Sequence, residues 1–183
     1  ALRDLGYIKY LKNNLEEANR NFQKISNRIS NDVFALNIYG LIEHFYGNTK
    51  NSIKRFVNAI DINPTYIDSY NNLGKVYFDL EDLDKAFENF KKAYKINKEY
   101  FKTLINIGNI LSLKDKNYYS ILAYKKALRI SENKGDILAN ISICYSRIKD
   151  FDNAKKYYDE AFKYKSDNAS LNLSLSYLYL YKN

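Results

Sequence analysis

Residues 70–94, YNNLGKVYFDLEDLDKAFENFKKAY, hold two amphipathic stretches separated by the polar dipeptide Glu81-Asp82. In the first, Tyr70, Leu73, Tyr77 and Leu80 recur at helical spacing. In the second, Leu83, Ala86, Phe87, Phe90, Ala93 and Tyr94 do the same. Ala86, Phe90 and Ala93 stand at i, i+4 and i+7 and so share one face of the second helix. Gly74, on the first helix, has no side chain and lets that face approach closely, at about 1 kcal/mol of helix propensity relative to Ala. The stretch predicts a helical hairpin in which a ring fills a groove between small residues.

The same marks return along the whole chain. Gly6, Gly40, Gly74 and Gly108 are 34 residues apart, and Ser142 takes the next place. Twelve residues after each stands Ala18, Ser52, Ala86, Ser120 or Ala154. Four further on comes a ring, Phe22, Phe56, Phe90, Tyr124 or Tyr158, and three beyond that Ile25, Ala59, Ala93, Ala127 or Ala161. With aromatics at 16% of the chain, five rings in five places by chance has odds of about one in ten thousand, so the period is a property of the fold.

Composition narrows the chemistry. The 183 residues are 46% apolar and 27% charged, enough to bury a core. Six Gly and one Pro are too few for a turn-rich β-sandwich or a Gly-looped nucleotide enzyme. One His and one Cys exclude a Cys/His metal cluster and a disulfide framework. His44 and Cys144 stand three repeat lengths apart, so a stacked array keeps them from acting as a catalytic pair. Cys144 is expected in a small apolar site on a first helix, and His44 at a helix end. No phosphate loop remains once four glycines belong to the repeat, the acids have no metal-loop spacing, and no cofactor is called for. No stretch is long and apolar enough to span a membrane, and no signal-peptide core opens the chain. The chain has no Met, and the expectation is that it is a fragment of a longer protein.

The motif resembles the tetratricopeptide repeat, whose pattern places Leu-Gly, Tyr, Ala, an aromatic, Ala and Pro within 34 residues. The resemblance implies an all-α, right-handed superhelix of antiparallel helix hairpins. Its phase gives one array over 1–183, with repeats 1–32, 33–66, 67–100, 101–134 and 135–166 and a half repeat 167–183. Only Pro64 fills the terminal Pro position, and Lys9 and Glu43 replace the expected Tyr. The first two repeats are therefore expected to pack less regularly. The interval from Asn140 to Asn172 is 32, which predicts one shortened turn. The last segment, SLNLSLSYLYLY, also alternates like a strand, but repeat phase makes it a helix. Uncapped, it needs a cover for Leu171, Leu175, Leu178 and Leu180, and self-association through it is one partner the sequence admits.

Two residues before the repeat Gly, about 200° round the first helix, stand Asn72, Asn106 and Asn140, with Asn172 after the short interval. In the family this face lines the concave groove. An Asn there can bridge an N–H and a C=O of an extended peptide without reading its side chains. The row is similar to the asparagine ladder of glycosyltransferase members, although 24 of the 183 residues are Asn and polar filler is the competing reading. Neighbouring positions are apolar at one end, with Phe34, Ile38, Leu41 and Phe45 as a seat for an apolar segment or as packing against the first repeat. They turn polar further on, with Lys75, Lys102, Asn109 and Arg147. Chaperone-binding relatives grip a C-terminal carboxylate with two Lys, two Asn and an Arg. Here one Lys of that set is Ile105, which argues against an acidic tail as ligand.

The function expected is a non-catalytic scaffold holding a peptide or partner-protein segment in the concave groove. The alternatives are a targeting arm of a larger enzyme such as a glycosyltransferase, and weak nucleic-acid binding through a basic outer face. The net charge of +8 raises the latter. Against it, Lys91, Lys92 and Lys95, Lys125, Lys126 and Arg129, and Lys155, Lys156 and Lys163 alternate with acids on second helices, as a solvated face does.

Overall fold

The computed structural model describes residues 2–164 and 169–182. Among them are eleven helices and no strand: α1 Leu2–Leu11, α2 Leu15–Ile25, α3 Val33–Phe45, α4 Thr49–Ile62, α5 Ile67–Asp79, α6 Leu83–Ile96, α7 Phe101–Leu113, α8 Asn117–Ile130, α9 Gly135–Arg147, α10 Phe151–Phe162 and α11 Ala169–Lys182. They pair as antiparallel hairpins, α1 with α2 through α9 with α10. The chain divides into two compact units, Ala1–Ile96 and Asn97–Asn183.

Helix starts carry the repeat. Second helices open at 15, 49, 83, 117 and 151, and first helices at 33, 67, 101, 135 and 169. The shortened turn expected before the last helix falls on residues 165–168, which lie outside those described. The polar links act as one device. Asn13, Gly47, Glu81, Asp115 and Lys149, each 34 from the next, all have positive φ, between 55° and 76°. In each link the following N–H (Asn14, Asn48, Asp82, Lys116, Asp150) donates to the carbonyl five residues back, at 2.8–3.0 Å. This 6→1 bond with a left-handed C′ residue is the Schellman ending of a helix. The residue that closes the first helix also opens the second. Asn14, Asp82 and Asp150 each accept from the backbone N–H three residues on, which caps α2, α6 and α10.

In the first unit Phe22, Phe56 and Phe90 are almost wholly buried, each lying where a Cβ on Gly6, Gly40 or Gly74 would stand. The gap is tightest at Gly74, where such a Cβ would sit 2.5 Å from Phe90 Cε1. The same distance is 2.8 Å at Gly40 and 3.0 Å at Gly6, so the first two hairpins keep the buried ring but close on it a little less tightly than the third. Where the family has a ring, Glu43 instead reaches Arg55 Nε at 3.3 Å, and the Arg55 guanidinium lies 4.6 Å from the Tyr39 ring centroid. Burial pushes the Glu43 carboxyl above its ordinary value, and Arg55 pulls it back only in part. Lys9, at the same register, pairs with Glu17.

The second unit repeats the design with hydroxyls added. Tyr124 is buried on Gly108, whose Cβ would lie 2.5 Å from Tyr124 Cε1. Ser120 Oγ donates to the Gly108 carbonyl at 2.7 Å, and in the next hairpin Ser142 Oγ donates to the Ala154 carbonyl at 2.7 Å. Tyr145 and Tyr157 stack at 5.4 Å, in the register held by Glu43 and Arg55 in the first unit. Lys125 donates to the Tyr145 hydroxyl at 2.8 Å and lies over both rings, so it is half-buried rather than one of the solvated charges expected. The helix α11 packs chiefly against α9 and less against α10. The side chains of Leu171 and Leu178 lie outside those described; Leu175 is half-buried and Leu180 is exposed.

Candidate functional site

The first helices carry every residue that sequence placed on the ligand face, and in each unit that face is laced from one first helix to the next. Asn37 on α3 is buried. Its Nδ2 donates to the Val33 carbonyl at 2.9 Å and to Ser69 Oγ at 2.8 Å, and its Oδ1 accepts from Asn72 Nδ2 at 3.2 Å. Further along the same pair of helices, His44 Nε2 meets Asp79 Oδ2 at 2.7 Å. His44 is thus in the last turn of α3, as expected for a helix-end residue.

The second unit has a lacing bond in the register of His44 and Asp79. Arg147 on α9 donates through Nη1 to the Ser112 carbonyl and Oγ, at 2.9 and 3.0 Å. Its Nη2 donates to the Tyr177 hydroxyl of α11 at 3.0 Å, and the guanidinium lies 5.1 Å from that ring's centroid. Cys144 is buried on a first helix, as expected, and two hydroxyls reach its sulfur: Ser120 Oγ is 3.4 Å from Sγ and Ser112 Oγ 3.6 Å. Burial pushes the thiol pKa up.

These contacts sort the candidates. In the first unit Ile38 is a core residue, buried with Phe22 and Ile42, and Leu41 packs against the same cluster. Phe34 stays partly exposed with its ring on Tyr7 at 4.8 Å, Phe45 is 67% exposed, and Lys75 is exposed. Asn72 has its amide engaged by Asn37. In the second unit Lys102 is exposed. Asn109 Oδ1 accepts from the Tyr124 hydroxyl at 2.6 Å, and burial holds that phenol far above its ordinary range. Asn106 and Asn140 are half-buried and make no side-chain hydrogen bond to the described residues. Among the described residues no group of His, Cys, Asp and Glu could hold a metal ion, and no helix is long and apolar enough to cross a membrane.

Known proteins give the same repeat. Models described as TPR repeat or tetratricopeptide repeat match residues 40–81, 67–100 and 135–168, together just over half of the chain. The uncharacterized protein ycf37 of Pyropia yezoensis is 33% identical over 63 residues, which is 33% of this chain and 35% of that protein, so the match spans about a third of the relative. Among solved structures, the MamA protein superposes with a TM-score of 0.72 at 22% identity, over 92% of this chain and 94% of its own. A thermophilic TPR protein of Thermus thermophilus does so with 0.76 at 19% identity, over 97% of both chains. The Cut9-Hcn1 hetero-tetramer of the APC/C reaches 0.87 at 19% identity over 99% of this chain, which covers 36% of that one. At these identities the likeness concerns the fold, an all-α tetratricopeptide array.

Proposed function

Because the chain belongs to the tetratricopeptide repeat family, whose members serve in general as protein-interaction scaffolds, we propose that it is a non-catalytic scaffold that holds an extended peptide segment of a partner protein against its first helices. The observation that carries this reading is the pair Asn106 and Asn140. They stand one repeat apart on α7 and α9, half-buried, with both amides lacking a partner among the described residues. Other polar residues of the ligand face are engaged internally, as Asn72, Asn109 and Arg147 are. A half-buried amide left open in a face where its neighbours are satisfied favours a ligand that brings the missing donors and acceptors. Two such amides on successive first helices suit the N–H and C=O groups of an extended backbone. In the first unit Phe34 and Phe45 keep enough exposed ring to act as apolar anchors, and the exposed Lys75 offers a charge.

The test is selection of binding peptides from a phage-displayed library, followed by titration of the selected peptides against variants. The double substitution Asn106→Ala/Asn140→Ala removes up to four hydrogen bonds and should weaken binding by about tenfold or more, with the melting temperature unchanged. Equal affinity for wild type and double variant would remove the two amides from the contact.

A further inference from the structure

The outer face of α8 departs from the rule that every other second helix follows. At the positions of Tyr118, Tyr119 and Leu122, the other four repeats carry Glu16, Glu17 and Arg20; Lys50, Asn51 and Lys54; Asp84, Lys85 and Glu88; and Asp152, Asn153 and Lys156. Polar residues at all twelve places give way in this one repeat to two phenols and a leucine. The three side chains are 70%, 65% and 64% exposed, so the change does not serve the core. It serves no hairpin contact either, since the residues that close α7 on α8 are Ser120, Tyr124 and the Gly108 that receives them.

Charge on the same face is one-sided. At 100° per residue, Tyr118, Arg129, Leu122, Lys126 and Tyr119 fall within an arc of about 100°, and Ile130, 42% exposed, borders it. The apolar members occupy the N-terminal half of the arc and the basic members the C-terminal half. Of the five second helices α8 is the one with no acidic residue, and Asp115 lies before it in the turn between Lys114 and Lys116.

We infer that the outer face of α8 is a peripheral docking surface for an anionic lipid bilayer, with Tyr118, Tyr119 and Leu122 entering the headgroup layer while Lys126 and Arg129 meet acidic headgroups. A ridge of rings on the outside of a helix offers no concavity for a peptide, whereas a fluid interface shapes itself around it. Tyrosine suits that depth, with its ring among acyl carbons and its hydroxyl in water. Charge complementarity supplies the rest: basic side chains on the arc attract phosphatidylserine, and no acid on the helix opposes it. This surface is separate from the first-helix face that carries the peptide reading, and either can fail alone.

Flotation with vesicles made of phosphatidylserine and phosphatidylcholine in equal parts tests the inference, with pure phosphatidylcholine vesicles alongside. The wild-type chain should float with the anionic vesicles only, and less so as salt rises. Lys126→Gln/Arg129→Gln should weaken partition roughly fivefold for each charge removed. Tyr118→Ser/Tyr119→Ser/Leu122→Ser should abolish it while the circular-dichroism melt stays in place, because the replaced side chains are exposed. A second variant, Leu122→Lys, keeps helix propensity and adds positive charge. It should still bind less well than wild type, and stronger binding would reduce the surface to a charge effect and overturn the apolar ridge. No flotation at low salt, or wild-type flotation of the triple variant, overturns the inference outright. So would retention on polyuridylic acid or on an acidic amphipathic peptide that these substitutions abolish while vesicles stay unbound, since the ridge would then belong to that partner.

Discussion

Ser52 and Ser120 occupy the same register, both fully buried on second helices, and the same substitution should act on them with opposite signs. Ser120 Oγ donates to the Gly108 carbonyl at 2.7 Å. Ser52 Oγ is buried with no hydrogen-bond partner among the described residues. Changing either to Ala removes the same atom and gains the same helix propensity, so those contributions cancel when the two variants are compared. What differs is the hydrogen bond. Ser120→Ala loses a bond worth about 0.5–1.5 kcal/mol, whereas Ser52→Ala relieves an unsatisfied hydroxyl that costs about 1–3 kcal/mol. With about 0.5 kcal/mol of propensity included, Ser52→Ala should stabilise by about 1.5–3.5 kcal/mol and Ser120→Ala should be neutral to destabilising by about 1 kcal/mol. For a chain of this length each kcal/mol moves the melting temperature by about 2–4 °C. Urea titration followed by circular dichroism separates them, with m-values checked for constancy because repeat arrays can lose two-state behaviour. Equal destabilisation by the two substitutions would refute the reasoning. It would mean that Ser52 bonds the Gly40 carbonyl as Ser120 bonds that of Gly108.

Gly74→Ala should destabilise by about 0.5–2 kcal/mol, because the new Cβ would lie 2.5 Å from the buried Phe90 ring and overpacking outweighs the propensity gain; calorimetry showing stabilisation would contradict it. Gly6→Ala, at 3.0 Å from Phe22, should cost less in the same scan. Lys149→Asn should stabilise by about 0.5–1 kcal/mol because Lys149 has φ of 64°, a conformation Asn tolerates far better, and Gly47→Ala should lose about as much in urea titration. Arg55→Ala leaves Glu43 buried without its counter-charge and should cost about 3–5 kcal/mol at pH 8. The Glu43 carboxyl is already raised in the folded state, so folding takes up a proton there, and the group favours folding below its unfolded value and opposes it as pH rises through the folded one. The deficit of Arg55→Ala should therefore shrink by pH 5, which denaturation at the two pH values reads directly.

The fold was legible because two kinds of residue leave no choice. A ring that must be buried needs a partner with little or no side chain, and Phe22, Phe56, Phe90 and Tyr124 could each be matched to its Gly by counting. The left-handed links were far less legible, although they are as regular. Gly47 announces positive φ, and Asn13 and Asp115 tolerate it, but Glu81 and Lys149 give no local sign. There the 6→1 bond and the start of the next helix impose the conformation, and a surface side chain accepts the strain. Glu43 misled for a related reason. Losing the family's Tyr looked like lost packing until Arg55, twelve residues on, restored a contact of different chemistry.

The polar face of the first helices was legible as a helix face and misleading in chemistry, because the helical wheel shows which way an amide points and not what stands in front of it. Asn37 and Asn72 are 35 residues apart, one more than the repeat, so a lacing bond between them does not appear in a comparison of equivalent positions. The same offset joins His44 to Asp79 and Ser112 to Arg147. One signal in the sequence could have separated Asn109 from Asn106. The ring position holds Phe in the first three repeats and Tyr at 124, and a phenol in a site built for phenyl must find an acceptor close by. Asn109, the residue after Gly108, is that acceptor. The hydroxyl at Tyr124 thus engages Asn109 internally, whereas the amides of Asn106 and Asn140 make no side-chain hydrogen bond to the described residues.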